Sequence, residues 1–288
     1  MKFTIFSLIS VAAALLSLSA IQVYSLPTDL ARPIVAKEAA IRGLNDYNCK
    51  LTPAHPRPVI LVHGTANTVH LWFKFAPKLI KRGYCVFGLT YGRHKIIPFL
   101  GGLAPIEDSA REMGAFANKV MHRMNASQVD IVGYSQGGIL TRYWVKYLDG
   151  AGKVYRHIGI SPIHHGTTQA GAVALVKAAG ILHPDISLVP SIPSMIANST
   201  FMQKLNAGGD TTPGVIESNI ATRYDKIVVP WQSCFQHGPN VTNAVLQKLC
   251  KFSLDDHPTM PFNNIVHQFI LNQLDPSTAE PASCRLLF

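Results

Sequence analysis

Charged residues make up only 15% of this 288-residue chain, and acidic ones are scarce: 16, against 26 Lys plus Arg. With 48% apolar residues, that shortage excludes a disordered chain, which would lack the apolar surface needed to form a core. The net charge of +10 is scattered over Lys78, Lys81 and Arg82, over Arg93, His94 and Lys95, and over Lys248 and Lys251. No dense Lys/Arg block and no nucleic-acid motif is present, so no nucleic-acid partner is expected. A diffuse positive excess fits an anionic lipid or cell-wall surface, and equally a soluble basic protein with no charged partner. No two cysteines stand at close zinc-site spacing, which argues against a cysteine-held metal. Internal repeats and low-complexity linkers are absent too.

Apolar runs long enough for a bilayer are missing except at the start. There, Lys2 precedes an apolar run from Ile5 to Ile21, and small residues lead up to Leu26. A basic residue, an apolar core and a small-residue exit make a signal peptide over 1–25, with cleavage after Ala20 or Ser25. The expected location is therefore extracellular. What remains, 26–288, reads as a single domain and a monomer. Cysteines in a secreted chain usually pair. Nearest-neighbour order gives Cys49–Cys85 and Cys234–Cys250 and leaves Cys284 unpaired. Asn125, Asn198 and Asn240 each open an N-x-S/T triplet that could be glycosylated.

Strand and helix patterns alternate along the domain. Pro53 to Pro58 is a stiff approach segment after a short helical pattern at 34–42. Val59-Ile60-Leu61-Val62 is a β-branched run of the kind buried on both faces of a parallel sheet. A helix is predicted over 70–81, a strand over 84–89, and a long helix over 106–124, with Ile106, Ala110, Met113, Ala117, Val120 and Met124 on one face. Strands over 129–132, 155–160 and 219–222 and a helix over 136–148 complete the pattern. This alternation predicts a doubly wound, mainly parallel α/β sheet, with chemistry at the carboxyl ends of its strands.

Gly133-Tyr134-Ser135-Gln136-Gly137 fits G-x-S-x-G, with a strand pattern before it and an amphipathic helix pattern after it. A serine on such a turn stands exposed above the sheet as a nucleophile. His63-Gly64 after the first strong strand predicts an oxyanion loop, whose amide donors are expected from Thr65 and from Gln136. The acid and base should follow the serine in chain order. Asp225, just past a strand, is favoured as the acid over Glu217 and over Asp210 in its Gly208-Gly209-Asp210 turn. His257, in the loop before the last helix, is favoured as the base. His267 falls inside that helix as a packing residue, and His237 lies in an exposed loop. Asp255 and Asp256, adjacent to His257, read as solvated or helix-capping.

The segments 59–65 (VILVHGT), 133–138 (GYSQGG), 164–167 (HHGT), 224–230 (YDKIVVP) and 240–257 occur in an order that resembles the secreted class 2 lipases best known from actinobacteria. The resemblance spans roughly residues 45–275. It implies an α/β-hydrolase that cleaves carboxylic esters of lipids without metal or organic cofactor. It also implies Ser135 as nucleophile, Asp225 as acid, His257 as base, and Thr65 and Gln136 as oxyanion donors, and it is consistent with both proposed disulfides. The chain departs from the family at His164, where asparagine is common. The same triad supports a secreted acyltransferase. An inactive binding module would usually have lost a triad member, and none is missing. Residues 168–200 read equally as a pocket cover suited to a lipid interface and as ordinary core helices.

Overall fold

A run such as Val59–Val62 has no polar face, so it can be satisfied only where both sides of the sheet are covered. The computed structural model, which describes residues 41–94, 98–180 and 189–284, puts it at such a place. Ile60 and Val62 enter one apolar cluster, while Val59 and Leu61 enter the other. All the described residues lie in the unit Lys37–Phe288. Its strands are β1 (Val59–Val62), β2 (Val86–Gly88), β3 (Val129–Tyr134), β4 (Val154–Ile160), β5 (Ile216–Ala221) and β6 (Val241–Val245). They stand in the order β2-β1-β3-β4-β5-β6, and every pairing is parallel.

The helices are α1 (Ala76–Lys81), α2 (Ile106–Met124), α3 (Gln136–Tyr147), α4 (Gln169–Ala178), α5 (Ser191–Ser194), α6 (Thr200–Asn206), α7 (Leu246–Leu249) and α8 (Asn264–Leu274). Residues of α2 to α6 build the cluster on one face of the sheet. The other face is built from α1, α7 and α8. The apolar stripe of α2 read from its periodicity is buried from Ile106 to Val120. Glu107 and Asp108 sit in its first turn and His122 and Arg123 in its last, matching the helix dipole at both ends. The single helix predicted over 70–81 is two elements, a 3-10 turn at Val69–Phe73 and then α1. Pro77 is the reason, since it lacks an amide hydrogen and its ring crowds the carbonyl four residues back. β6 lay outside the predicted strands because it is an edge strand, with Thr242 and Asn243 exposed. The expected signal peptide, residues 1–25, and residues 34–40 of the leader pattern lie outside the described residues. Ile41 and Arg42, which are described, are not helical. Among the described residues no helix is long and apolar enough to cross a membrane.

The segment ahead of Pro53 is tied to the sheet edge. Asn45 exchanges side-chain hydrogen bonds of 2.9 Å with both the carbonyl and the amide of Gly88, and its own amide donates to Val86 O. Cys49–Cys85 closes the same corner, as chain order suggested. The second disulfide differs from expectation. Cys250 pairs with Cys284, at a Cα separation of 5.2 Å, and Cys234 is a buried thiol. Cys234 belongs to the apolar cluster on one face of the sheet and Cys250 to the cluster on the other, so their nearness in sequence never becomes nearness in space. Burial, and then the charge of Asp225, push the Cys234 thiol well above its usual range.

Closing the 34-residue separation between Cys250 and Cys284 should stabilise by about 4 kcal/mol in the chain-entropy model. Cys284→Ser is therefore expected to lower the melting temperature by on the order of 10 °C. Non-reducing peptide mapping should recover Cys250 linked to Cys284. A Cys234–Cys250 peptide would refute the pairing.

Candidate functional site

Residue 135 joins β3 to α3 through a backbone that L-residues rarely adopt, with φ 54° and ψ −119° at Ser135. The close approach of neighbouring backbone holds it there. A Cβ on Gly133 would come within 2.7 Å of the Gly137 carbonyl carbon, and one on Gly137 within 2.4 Å of Val62 O. Only glycine lets β3, β1 and the start of α3 pack this tightly. The Ser135 amide donates to Ile160 O of β4, and its side chain makes no capping bond to α3. The residue is 1% exposed, and its hydroxyl lies 3.0 Å from His257 Nε2.

His257 comes from the loop before α8. Its Nδ1 lies 2.7 Å from Asp225 Oδ2, and the histidine is 1% exposed. The other carboxylate oxygen, Oδ1, accepts the amides of Ile227 at 2.9 Å and Val228 at 2.7 Å, which fixes the plane of the acid. With Nδ1–H donating to Asp225, the Nε2 lone pair faces Ser135, so the serine O–H is the donor in that contact. The loop that carries His257 is braced from below. Tyr134, the residue before Ser135, donates its hydroxyl to His257 O at 3.0 Å. Thr222 donates to Asp255 O at 2.6 Å. Asp255 accepts from Ser253 and Asn263, and Asp256 from Thr259, so both acids near His257 serve the loop.

Thr65 donates its hydroxyl to Gln136 Oε1 at 3.0 Å, which docks the loop after β1 onto the first turn of α3. The Gln136 amide is in that first turn, where amides have no partner within the helix. His63 sets the shape of this loop, a role its sequence position did not announce. Its Nδ1 donates to Gly64 O at 2.7 Å, its Nε2 accepts the Tyr91 amide at 3.3 Å, and the Tyr91 hydroxyl donates to His63 O at 2.6 Å. Both ring nitrogens are used, so the neutral imidazole fits and the cation does not.

The rival candidates have other partners. Glu217 is buried against His157 at 2.7 Å, and Asp210 faces Arg142, His165 and His237. His267 packs on Phe75 and bonds to Pro261 O, and His237 is exposed. His164, the departure from the family pattern, is fully buried with Nε2 2.9 Å from Asn219 Oδ1.

Ser135 and His257 open onto a cavity of about 280 Å³, lined also by Thr65, Leu71, Leu175, Ile227 and Phe262. The helical segment α4 supplies Leu175 and Ala178 to this wall, so the described part of 168–200 borders the site. Residues 181–188 of that segment lie outside the described residues. A hydroxyl aimed at a fixed imidazole acceptor, beside a helix start and a recess of mixed polar and apolar lining, is equipped for attack on an acyl carbon.

Burial lowers His63 to about 4 and likewise lowers His267 to about 4. An unfolded histidine titrates near ~6.5, so between those values unfolding takes up protons. The stability from these two residues is complete above pH 6.5 and is lost as pH falls, by about 2 kcal/mol each at pH 5. The melting temperature is expected to be on the order of 10 °C lower at pH 5 than at pH 7. Equal melting temperatures at the two pH values would contradict neutral burial of both rings.

The family described as Lipase (class 2) matches residues 56–268. Aspergillus fumigatus lipase B shares 22% identity, with a TM-score of 0.61 over 80% of this chain and 55% of that one. The chain thus spans little more than half the length of that lipase. The mature Bacillus licheniformis lipase BlEst2 shares 19% identity, with a TM-score of 0.56 over 78% of this chain and 94% of its own. An esterase from Exiguobacterium antarcticum shares 13%, with a TM-score of 0.53 over 76% and 91% of the two chains. With the parallel sheet covered on both faces, these likenesses establish the α/β-hydrolase fold.

Proposed function

The chain belongs to the class 2 lipase family, and from that premise we propose that it is an ester hydrolase, a secreted serine lipase acting through Ser135, His257 and Asp225. The observation that carries this reading is the unbroken line from Ser135 Oγ to His257 at 3.0 Å and on to Asp225 at 2.7 Å, at a cavity whose wall includes Leu71, Leu175, Ile227 and Phe262.

In this mechanism His257 Nε2 takes the Ser135 proton as Oγ adds to the ester carbonyl carbon. The amides of Thr65 and Gln136 receive the negative charge that develops on the carbonyl oxygen. Asp225 holds the imidazole in the required tautomer and stabilises the imidazolium. The proton then passes to the leaving alcohol as the acyl–Ser135 ester forms. Water, deprotonated by the same imidazole, releases the acid and restores Ser135.

Leu71, Leu175, Ile227 and Phe262 give the acyl chain an apolar wall. Outside it, exposed Phe73 lies 5.7 Å from the Phe262 ring, with the Lys74 ammonium 5.8 Å from both rings. An aromatic pair beside a cation suits transient contact with a lipid–water interface. Two disulfides and the N-terminal leader support export to an oxidising compartment.

The test is a panel of esters of graded acyl length, assayed below and above their solubility limits and with an acceptor alcohol present. Lipase action is expected as turnover that rises once substrate forms a separate phase, with free acid as the product. Preference for soluble short esters would make it an esterase, and transfer to the alcohol in place of hydrolysis would make it an acyltransferase. A fluorophosphonate should label one residue, Ser135. Labelling elsewhere, or none, would overturn the serine mechanism.

A further inference from the structure

Three loops far apart in sequence bring two imidazoles and a carboxylate together outside the cavity that holds Ser135. His165 follows β4, Asp210 lies between α6 and β5, and His237 lies between Cys234 and β6. Their ligating atoms all fall within 4.8 Å of one another. Asp210 Oδ2 is 3.2 Å from His165 Nε2 and 3.4 Å from His237 Nδ1. In a tetrahedral zinc site with bonds of about 2.0–2.1 Å, neighbouring ligand atoms stand about 3.3–3.4 Å apart. We propose that His165, Asp210 and His237 form a binding site for one divalent transition-metal ion of the zinc type, which braces these three loops.

The ligand set selects the class of ion. Two neutral nitrogens and one oxygen suit borderline dications such as Zn²⁺, whereas Ca²⁺ and Mg²⁺ require a shell of oxygens. The ligands are held before any ion arrives. The Arg142 guanidinium lies 3.8 Å from Asp210 Oδ1, so the other oxygen is the one that meets the imidazoles. Gln236 Nε2 donates to Asp210 O, and the His165 amide donates to Ser233 O, which pins two of the three loops at the backbone. Supporting contacts of this kind orient ligands and strengthen metal binding. The His237 side chain is 82% exposed and that of His165 33%, so an ion enters from solvent and water completes the fourth position. Cysteine spacing gave no hint of this site, because no cysteine takes part.

Full-length mature protein, stripped with a chelator, should take up one equivalent of Zn²⁺ in a calorimetric titration and melt at a higher temperature when loaded. Mg²⁺ and Ca²⁺ at the same concentration should do neither. His237→Ala and His165→Ala should each weaken Zn²⁺ binding at least about 100-fold, the upper end of what losing a ligand's supporting partner costs. His122→Ala, on the exposed side of α2, should leave binding unchanged. His237→Ala should also retain metal-free ester hydrolysis. Co²⁺ bound to the unaltered protein should show the visible absorption of a four-coordinate site, a readout that needs no variant. No saturable Zn²⁺ binding, or equal affinity in the wild type and both histidine variants, would overturn the proposal.

Discussion

Ser135→Ala is expected to leave a folded protein whose ester hydrolysis is reduced by about a million-fold, the loss typical when a serine nucleophile is removed. The size of the loss follows from what remains. Without Oγ, no acyl–enzyme can form, and only the oxyanion amides and substrate binding still act. The fold should survive because the substitution keeps a Cβ in the same left-handed backbone and deletes one hydrogen bond, that to His257. Ser135 makes no capping bond to α3, so the helix start is unaffected. The measurement is turnover of a soluble ester, with a thermal melt alongside. Substantial turnover by a folded Ser135→Ala protein would remove Ser135 from the mechanism.

Asp225→Asn should cost about 10⁴-fold in turnover with little loss of stability. The amides of Ile227 and Val228 both donate to Oδ1. An asparagine keeps those two bonds only by placing its carbonyl oxygen there, which turns its NH₂ toward His257. The imidazole must then accept at Nδ1 and carry its proton on Nε2, where it can no longer receive the Ser135 proton. The variant thus traps the wrong tautomer with the fold intact. An Asp225→Asn enzyme with near-normal turnover would show that the acid is misassigned.

The parts legible in the sequence share a cause, namely strong local periodicity with a tertiary reason behind it. β1 and α2 match their predicted bounds because one is apolar on both sides and the other carries a single stripe. Chain order named Ser135, Asp225 and His257, and the structure brings these three side chains into hydrogen-bonding reach. What escaped depends on distance through space. Cys234 and Cys250 look like neighbours until the sheet separates them onto opposite faces. The bracing of the loop after β1 by His63 and Tyr91 requires two residues 28 apart to meet. The His165–Asp210–His237 cluster requires three loops to converge. No window along the chain contains either arrangement. β6 failed differently, since an edge strand with polar outward residues lacks the apolar run by which buried strands are recognised.

The sequence separations within the Ser135–His257–Asp225 line carry a kinetic meaning. Ser135 and His257 are 122 residues apart, and His257 and Asp225 are 32 apart, with β4, β5 and β6 laid down between the first pair. Contacts of such length form late, because the chain loses the entropy of closing the loop before the contact returns any energy. The elbow at Ser135 can take shape once β3 and α3 pack, whereas its alignment with the imidazole must wait for the loop before α8 to dock on a nearly complete sheet. On the proposed mechanism, recovered hydrolysis would mark finished tertiary assembly, and a partly folded chain with most of its helices in place would be inert.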